Sequence, residues 1–396
     1  MTKKKPVSLV EQLRGATRLA VDATRNVTDL VEKMHHTIGG GPTLLGQPLL
    51  EVTKLLSAPT YGTIRGVTKL VGAGLDLALA QLQPMLDRAG SERGTIIAVL
   101  NGVMGDYLEA TKNPLAIPMQ LRSGGVPLVL EREALKAQFE NGDRLLLLVH
   151  GSSMDDLQWL RRGHDHGAAL AKDLGFVPIY LRYNSGRHVS ENGRDFAALL
   201  ERLVAAFPRP VKEVVLLTHS MGGLVARSAC HVAEEEHHAW RKKLRALVTL
   251  GTPHHGSPLE RGGNWIDVLL EVSRYSAPLA KLGKLRSAGV TDLRYGNVLD
   301  EHWVGSDRFA KEGDPRGALS LPAGVECFAI AGSLGPGMGD GLVPVDSALG
   351  KHEKLPLDFP KSHQLIVQQT SHLDLLSSPE VHAQLKAWLS PLTARE

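Results

Sequence analysis

The sequence predicts an α/β fold in which a mostly parallel sheet carries helices on both faces. From residue 114 onward, unbroken apolar segments of strand length alternate with segments of helical periodicity. This alternation is typical of strands buried between two helical layers. Residues 1–113 show helical periodicity alone. We therefore expect a helical N-terminal extension over residues 1–113 and one α/β domain over residues 114–396.

The elements of the α/β part follow one another in a regular order. Strand-like segments at 117–121 and 126–131 flank the turn sequence Ser123-Gly124-Gly125 and predict a hairpin. The last helix has a clear start, with Ser378 as its N-cap and Pro379 at its first position. Between hairpin and last helix we predict strands at 145–149, 176–181, 214–217, 246–250, 325–330 and 365–369, and helices at 157–174, 193–207 and 222–236. The segment at about 256–321 is far longer than an ordinary connection, and we expect a functional cap there.

The N-terminal extension has an apolar stripe that something must cover. Helical spacing is present near residues 10–34, 63–88 and 95–111, and Tyr61 and Tyr107 are the only aromatic residues before residue 114. Packing against the α/β domain would cover the stripe. Burial against a lipid surface or a partner would instead make residues 1–113 a peripheral attachment device.

Composition and charge exclude several classes of protein. The chain is 43% apolar and 22% charged, which is ordinary for a soluble protein. Its net charge of +3 lies in residues 1–113 and is too small to predict nucleic-acid binding. Charged residues from Glu11 onward interrupt any signal peptide, and the most apolar window, 71–85, is too short to cross a membrane. We expect a cytoplasmic protein with Cys230 and Cys327 as core thiols.

A serine stands at the junction of a buried strand and a helix. Residues 214–225 have the sequence Val-Val-Leu-Leu-Thr-His-Ser-Met-Gly-Gly-Leu-Val, so Ser220 lies in a turn that needs small neighbours. Such an elbow lifts the hydroxyl above the sheet edge and aims the helix N-terminus at the atom it attacks. The alternative is an ordinary N-cap serine followed by glycines that ease packing.

Five motifs follow one another along the chain: Leu148-Val149-His150-Gly151, Thr218-His219-Ser220-Met221-Gly222-Gly223, Leu250-Gly251-Thr252-Pro253-His254-His255-Gly256-Ser257, Asp340-Gly341-Leu342-Val343-Pro344 and Ser371-His372-Leu373-Asp374. Together they resemble the α/β-hydrolase superfamily, in particular its lipase and esterase branches, including lipase-class and GPI-inositol-deacylase-like members. The resemblance covers about 114–396. One departure is Thr218, where the family's elbow usually has glycine.

The resemblance implies roles for five residues. Ser220 would be the nucleophile, and the backbone N–H groups of Met221 and Ser152 would form the oxyanion hole. His372 follows the predicted last strand, where the family keeps its general base, and Asp340 follows the preceding strand, where it keeps the acid. The order serine, acid, histidine is that of the superfamily.

Other residues compete for the base and acid roles. Asp346 is the alternative acid, while His363, His352 and His219 are less well placed than His372 to act as the base. Asp374 is expected to support its loop or a cation, because some related lipases carry a structural calcium there.

The sequence favours a serine hydrolase of lipid-like acyl esters that uses no cofactor and no metal. Paired histidines such as His164 and His166 lack the i, i+4 helical spacing of a zinc pair. The predicted cap supplies apolar side chains for an acyl chain, namely Trp265, Ile266, Val268, Leu269, Leu270, Leu279 and Leu282. The same triad could serve a thioesterase, a polyester hydrolase or an inositol-acyl hydrolase. A lipid- or partner-binding protein that uses the N-terminal helices is the alternative from another class.

Overall fold

The computed structural model describes residues 92–110, 112–139, 142–257, 287–305, 314 and 316–390. The predicted helices near 10–34 and 63–88 and most of the predicted cap, including its apolar residues 265–282, lie outside these ranges. Residues 94–107 and the described residues from 117 onward form one compact unit, which the following paragraphs describe.

The described residues form an eight-stranded sheet. Its strand order is β2-β1-β4-β3-β5-β6-β7-β8, in which β1 runs antiparallel to both neighbours and all other pairs are parallel. The strands are β1 (Gln120–Ser123), β2 (Val126–Pro127), β3 (Arg144–Val149), β4 (Val177–Arg182), β5 (Glu213–His219), β6 (Leu244–Leu250), β7 (Glu326–Ser333) and β8 (Gln364–Gln368).

Helices cover both faces of the sheet, as expected. They are α1 (Glu92–Ala110), α2 (Arg132–Gln138), α3 (His166–Leu174), α4 (Val189–Ala206), α5 (Met221–Glu235), α6 (Ala288–Asp292), α7 (Val345–Ala348) and α8 (Pro379–Leu389). Among the described helices, none has the length and apolar character of a membrane crossing.

Strand β3 shows why its sequence is apolar throughout. Leu145 and Leu147 belong to the core beneath α4 and α5, whereas Leu146 and Leu148 belong to a second core that includes residues of α3 and α8. Successive side chains of a strand point to opposite faces, so a strand covered on both sides needs an apolar residue at every position. Both cysteines are buried, and burial raises the pKa of each thiol to about 12.

The predicted elements occur in the predicted order, with two corrections. The predicted strand 126–131 is wrong beyond residue 127, where β2 ends. The predicted helix 157–174 is wrong in its first half: a 3₁₀ turn spans Asp156–Trp159, and α3 begins only at His166. Arg162 and Gly163 between them both have positive φ, which a right-handed helix cannot contain. The last helix is confirmed, because the Ser378 side chain accepts from the Val381 N–H and Pro379 stands at the start.

Candidate active site

Ser220 lies in a strained turn between β5 and α5. Its φ is 54° and its ψ is −127°, a backbone conformation that non-glycine residues rarely adopt. The Ser220 N–H donates to the Leu250 carbonyl at 2.8 Å, which fixes the turn to the end of β6. The side chain is 3% exposed, and the Met221 N–H belongs to the first residue of α5. Ser220 therefore stands in a tight turn from strand to helix, and its role as a nucleophile stays a prediction.

Glycines around the elbow are required by close contact. A Cβ at Gly222 would lie 2.4 Å from the Val149 carbonyl oxygen, and one at Gly223 would lie 2.1 Å from Thr252 Oγ1. Real Cβ atoms do not approach other atoms this closely. The fixed backbone oxygen makes glycine necessary at 222, whereas a side chain at 223 would force the Thr252 side chain to shift.

Thr218, the residue that departs from the family pattern, fits into the sheet. Its side chain is fully buried, and its Oγ1 donates to the Val248 carbonyl of β6 at 3.0 Å. The hydroxyl is therefore satisfied within the sheet. The threonine is accommodated without displacing the turn that follows it.

Asp340 and His372 form a buried pair on two neighbouring loops. His372 Nδ1 lies 2.7 Å from Asp340 Oδ2, and the His372 N–H donates to the Asp340 carbonyl at 2.9 Å. Asp340 Oδ1 accepts from the N–H groups of Leu342 and Val343 at 2.9 and 2.7 Å. The carboxylate is thereby held as an acceptor on both oxygens, and its loop follows β7 just as the His372 loop follows β8.

This pair lies beside the elbow. His219, the residue before Ser220, has its Nε2 3.0 Å from the His372 carbonyl oxygen, and the two rings are 4.7 Å apart between centroids. Because a carbonyl only accepts, His219 Nε2 carries the hydrogen of that bond. Burial, followed by the positive charge that His372 can carry, lowers the pKa of His219 well below its ordinary value. His219 is therefore a neutral residue that contacts the His372 loop.

Gly251 is a site residue to which the sequence analysis gave no role. It follows β6 with φ of +57°, and a Cβ there would lie 2.9 Å from Asp340 Oδ2 and 3.1 Å from His372 Nδ1. Its N–H donates to the Ile330 carbonyl at 2.8 Å. The available signal was its place in the third motif, directly after a predicted strand.

The competing acid and bases lie elsewhere. Asp346 is exposed in α7 and pairs with Lys351 at 3.1 Å. His363 precedes β8 and contacts the Cys327 carbonyl at 3.1 Å, while His352 Nδ1 accepts from the Lys354 and Leu355 N–H groups.

Asp374, the residue considered for a cation, is engaged by basic and hydroxyl groups. It accepts from Ser371 Oγ at 2.7 Å and pairs with Arg162 at 3.0 Å. A carboxylate neutralised by arginine is a poor calcium ligand, so these contacts favour the supporting role for its loop.

The loop after β3 packs directly against the elbow. A Cβ at Gly151 would lie 2.9 Å from the Ser220 Cβ, and the next residue, Ser152, is 1% exposed. Ser153 has φ of +59°, and its N–H donates to Ser185 Oγ at 2.9 Å. His150 stacks on Tyr183 with ring centroids 4.4 Å apart, and burial lowers its pKa to about 3.

Helix α1 also contacts this loop, a role that the sequence did not reveal. A Cβ at Gly102 would lie 1.9 Å from Ser153 Oγ, so the two backbones are in direct contact. Ser287 Oγ donates to the Gly102 carbonyl at 2.6 Å, and the Asn184 side-chain amide donates to the Gly105 carbonyl at 2.9 Å.

Comparisons with known proteins agree with the fold. The family model of the PGAP1-like α/β domain matches residues 185–311. No curated protein matches the chain at a significant level.

Several solved structures are similar at low identity. A Bacillus licheniformis lipase in mature form is 20% identical over 62% of this chain and 90% of its own, with a TM-score of 0.41. Lipase 1 from Pelosinus fermentans is 14% identical over 65% of this chain and 100% of its own, with a TM-score of 0.40. A Pyrococcus furiosus esterase is 13% identical over 64% and 83%, with a TM-score of 0.39.

The sheet order, the strained serine turn between β5 and α5, and the family-model match over residues 185–311 show that the chain has an α/β-hydrolase fold.

Proposed function

We propose that the chain is a serine hydrolase that cleaves carboxylic esters through an acyl-enzyme. Ser220 is the nucleophile, His372 the general base and Asp340 the orienting acid. The observation that carries the proposal is the 2.7 Å contact between His372 Nδ1 and Asp340 Oδ2, buried beside a serine in a strained strand-to-helix turn. The carboxyl ends of β5, β7 and β8 supply the three residues.

The hydrogen-bond pattern supports the direction of proton transfer. Asp340 Oδ2 faces Nδ1 of His372, so the neutral imidazole carries its hydrogen on Nδ1 and leaves Nε2 as the basic atom. Nε2 takes the proton of Ser220 as Oγ attacks the ester carbonyl, and then returns it to the leaving alcohol. The same nitrogen activates the water that hydrolyses the acyl-enzyme.

Two backbone N–H groups would stabilise the oxyanion. The Met221 N–H is at the start of α5, where helix N–H groups lack intrahelical partners and favour negative charge. The Ser152 N–H follows Gly151, which packs against Ser220. Donors of this kind contribute about 2.7–4 kcal/mol each to transition-state stabilisation.

Lipid-like acyl esters are the substrate class that we propose. The support is compositional: the predicted cap carries a series of large apolar residues between 265 and 282. Thioesters, polyesters and acylated inositols would use the same chemistry, and a series of substrates separates them.

The test is hydrolysis of nitrophenyl esters of increasing acyl length, with a matched acyl thioester in parallel. We expect turnover that rises with acyl length and is lost in Ser220→Ala, and a fluorophosphonate probe that labels Ser220. Ser228→Ala is the control, because Ser228 is equally buried on the same helix. Undiminished turnover by Ser220→Ala, or labelling of another residue, would overturn the proposal. A preference for the thioester would keep the triad and change the substrate class.

A further inference from the structure

Three histidines from distant parts of the chain meet on the face of the sheet away from α4 and α5. His164 and His166 lie at the start of α3, and His382 lies in the first turns of α8. One ring nitrogen from each falls within 4.8 Å of the others. His164 Nε2 is 2.8 Å from His166 Nδ1, and the parallel rings of His166 and His382 have centroids 5.7 Å apart.

Hydrogen bonds outside the cluster turn two of these rings so that Nδ1 faces inward. His166 Nε2 lies 3.0 Å from the Leu375 carbonyl oxygen and so carries the hydrogen, which leaves Nδ1 with a lone pair. His382 Nε2 lies 3.4 Å from Asp173 Oδ2, which leaves its Nδ1 for the cluster.

The inward nitrogen of His382 has no partner of its own. His382 Nδ1 is buried and has no hydrogen-bond partner within the described part of the chain. A buried polar atom without a partner is costly, and a water molecule or an ion can supply the partner that it lacks.

We propose that His164, His166 and His382 bind one divalent transition-metal ion, with Zn²⁺ as the ion that best suits three imidazoles. Neutral imidazole nitrogen is a preferred ligand of Zn²⁺, and three protein ligands leave a fourth position for water. The Leu375 carbonyl and the Asp173 carboxylate are the outer partners that zinc-bound histidines ordinarily have.

Metal binding requires the three ligand nitrogens, which lie within 4.8 Å of one another, to reach tetrahedral spacing. Tetrahedral ligands about 2.0–2.1 Å from Zn²⁺ stand roughly 3.3 Å apart, so His164 Nε2 and His166 Nδ1 must separate by about half an ångström. The hydrogen on His164 Nε2 moves to Nδ1, and this ring stays neutral. His164 is only partly buried, so its ring has room to make the change.

The bound metal would hold the loop of His372 in place. His166 contacts Leu375, and Arg162 pairs with Asp374 at 3.0 Å, so the segment before α3 already grips the loop at two points. A metal ion bound by all three histidines would join this segment to α8 and so restrain residues 371–376 between them. The metal is therefore a positioning element and takes no part in the ester chemistry. The histidine pair lacks the i, i+4 spacing of a helical zinc pair, and the third ligand, His382, comes from the far end of the domain.

The experiment measures metal content and thermal stability of the full chain, and neither readout depends on activity. Protein stripped with a chelator is titrated with Zn²⁺, and with Co²⁺ for its visible absorption. We expect one Zn²⁺ per chain and a Tm increase of about 5–10 °C at a Zn²⁺ concentration 100-fold above Kd. Tetrahedral Co²⁺ should give intense visible bands.

Variants assign the metal to these residues. His164→Ala and His382→Ala should lose both the bound metal and the Tm increase, and Asp173→Asn should bind about 10-fold more weakly. His352→Ala is the control, because His352 pairs with His255 elsewhere, with ring centroids 4.7 Å apart. An unchanged Tm in wild type would overturn the proposal. So would equal zinc content in wild type and His164→Ala, a partly exposed position whose replacement leaves the core intact.

Discussion

The two oxygens of Asp340 do different work, and this makes an amide substitution informative. Oδ1 accepts from two backbone N–H groups, while Oδ2 faces His372 Nδ1. In Asp340→Asn the amide oxygen can keep the backbone bonds, but the NH₂ group then faces Nδ1 and favours the wrong tautomer of His372. We expect kcat for a nitrophenyl ester to fall by about 10,000-fold with little change in Tm.

The matched control for that variant is Asp346→Asn. Asp346 is exposed and pairs with Lys351, and exposed pairs contribute about 0–1 kcal/mol. Its replacement should leave kcat and Tm unchanged. Full activity in Asp340→Asn together with an inactive Asp346→Asn would transfer the acid role to Asp346.

Gly251 gives a second residue-scale prediction. In Gly251→Ala the new methyl group would lie 2.9 Å from Asp340 Oδ2, so the Asp340–His372 pair must shift. Misplacing catalytic groups by about 1 Å costs about 100-fold in rate, and we expect kcat to fall by that order. Gly124→Ala is the control for backbone strain, because φ is +56° there and open space surrounds the position.

The comparison separates strain from displacement. Each variant places alanine at positive φ, which costs about 1–2 kcal/mol in stability. Kinetics and thermal melts of both proteins should therefore show a loss of stability in each, larger in Gly251→Ala because its methyl group also clashes, and a loss of activity in Gly251→Ala alone. Equal activity in both would mean that the methyl group fits at position 251 without moving the pair.

At the scale of the elements, helix α1 contacts the loops beside the candidate site. Residues 94–107 belong to the compact unit of the sheet, and Gly102 and Gly105 contact Ser153 and Asn184. Deletion of residues 1–113 removes these contacts and exposes apolar surface, whereas deletion of residues 1–91 keeps α1. We expect turnover of a soluble ester in the shorter truncation and an insoluble or inactive protein in the longer one.

Co-sedimentation with lipid vesicles tests what residues 1–91 contribute. Attachment to a lipid surface stays a prediction. It requires that the full chain co-sediments with vesicles and that the protein lacking residues 1–91 does not. Equal sedimentation of both proteins would contradict the attachment role. Activity in the protein truncated after residue 113 would show that the α1 contacts are dispensable.

Strands were predictable because their covering layers leave a strong local pattern. Strands β3 to β7 lie within a few residues of the predicted segments, since burial on both faces demands continuous apolar residues. Helix 157–174 was predicted too long, because apolar spacing does not detect the two left-handed residues Arg162 and Gly163. The glycine alone hinted at the break.

Contacts between distant elements were not predictable from pattern. The spacing near residues 95–111 indicates a helix, but no local sequence pattern indicates that its glycines contact Ser153 and Asn184. In the same way, His382 comes together with His164 only through the packing of α8 beside α3. Local periodicity specifies elements, whereas these juxtapositions depend on how the whole sheet brings its covering helices together.

At the scale of the whole molecule, the described domain buries several histidines in their neutral form. Burial lowers the pKa of His150 to about 3, and it lowers those of His219 and His254 well below the ordinary value, with the positive charge of Arg227 adding to the effect on His254. In the unfolded chain each would titrate near 6.5. Folding therefore prevents these rings from taking up protons that the unfolded chain accepts.

Stability should consequently fall as the pH drops below about 6.5. Between that value and the folded-state pKa, the unfolded chain binds one more proton at each buried histidine, so the free energy of unfolding decreases by about 1.4 kcal/mol per pH unit for each of them. Urea unfolding at a series of pH values from 7.5 to about 4.5 measures this slope.

His150→Phe should lower the slope by one proton, because phenylalanine preserves the stacking on Tyr183 and cannot titrate. His237→Asn is the control, because His237 is exposed and asparagine tolerates its positive φ, so the slope should not change. A stability that is level from pH 7.5 to 4.5 would mean that these rings are protonated in the folded protein, and that the buried site holds charge.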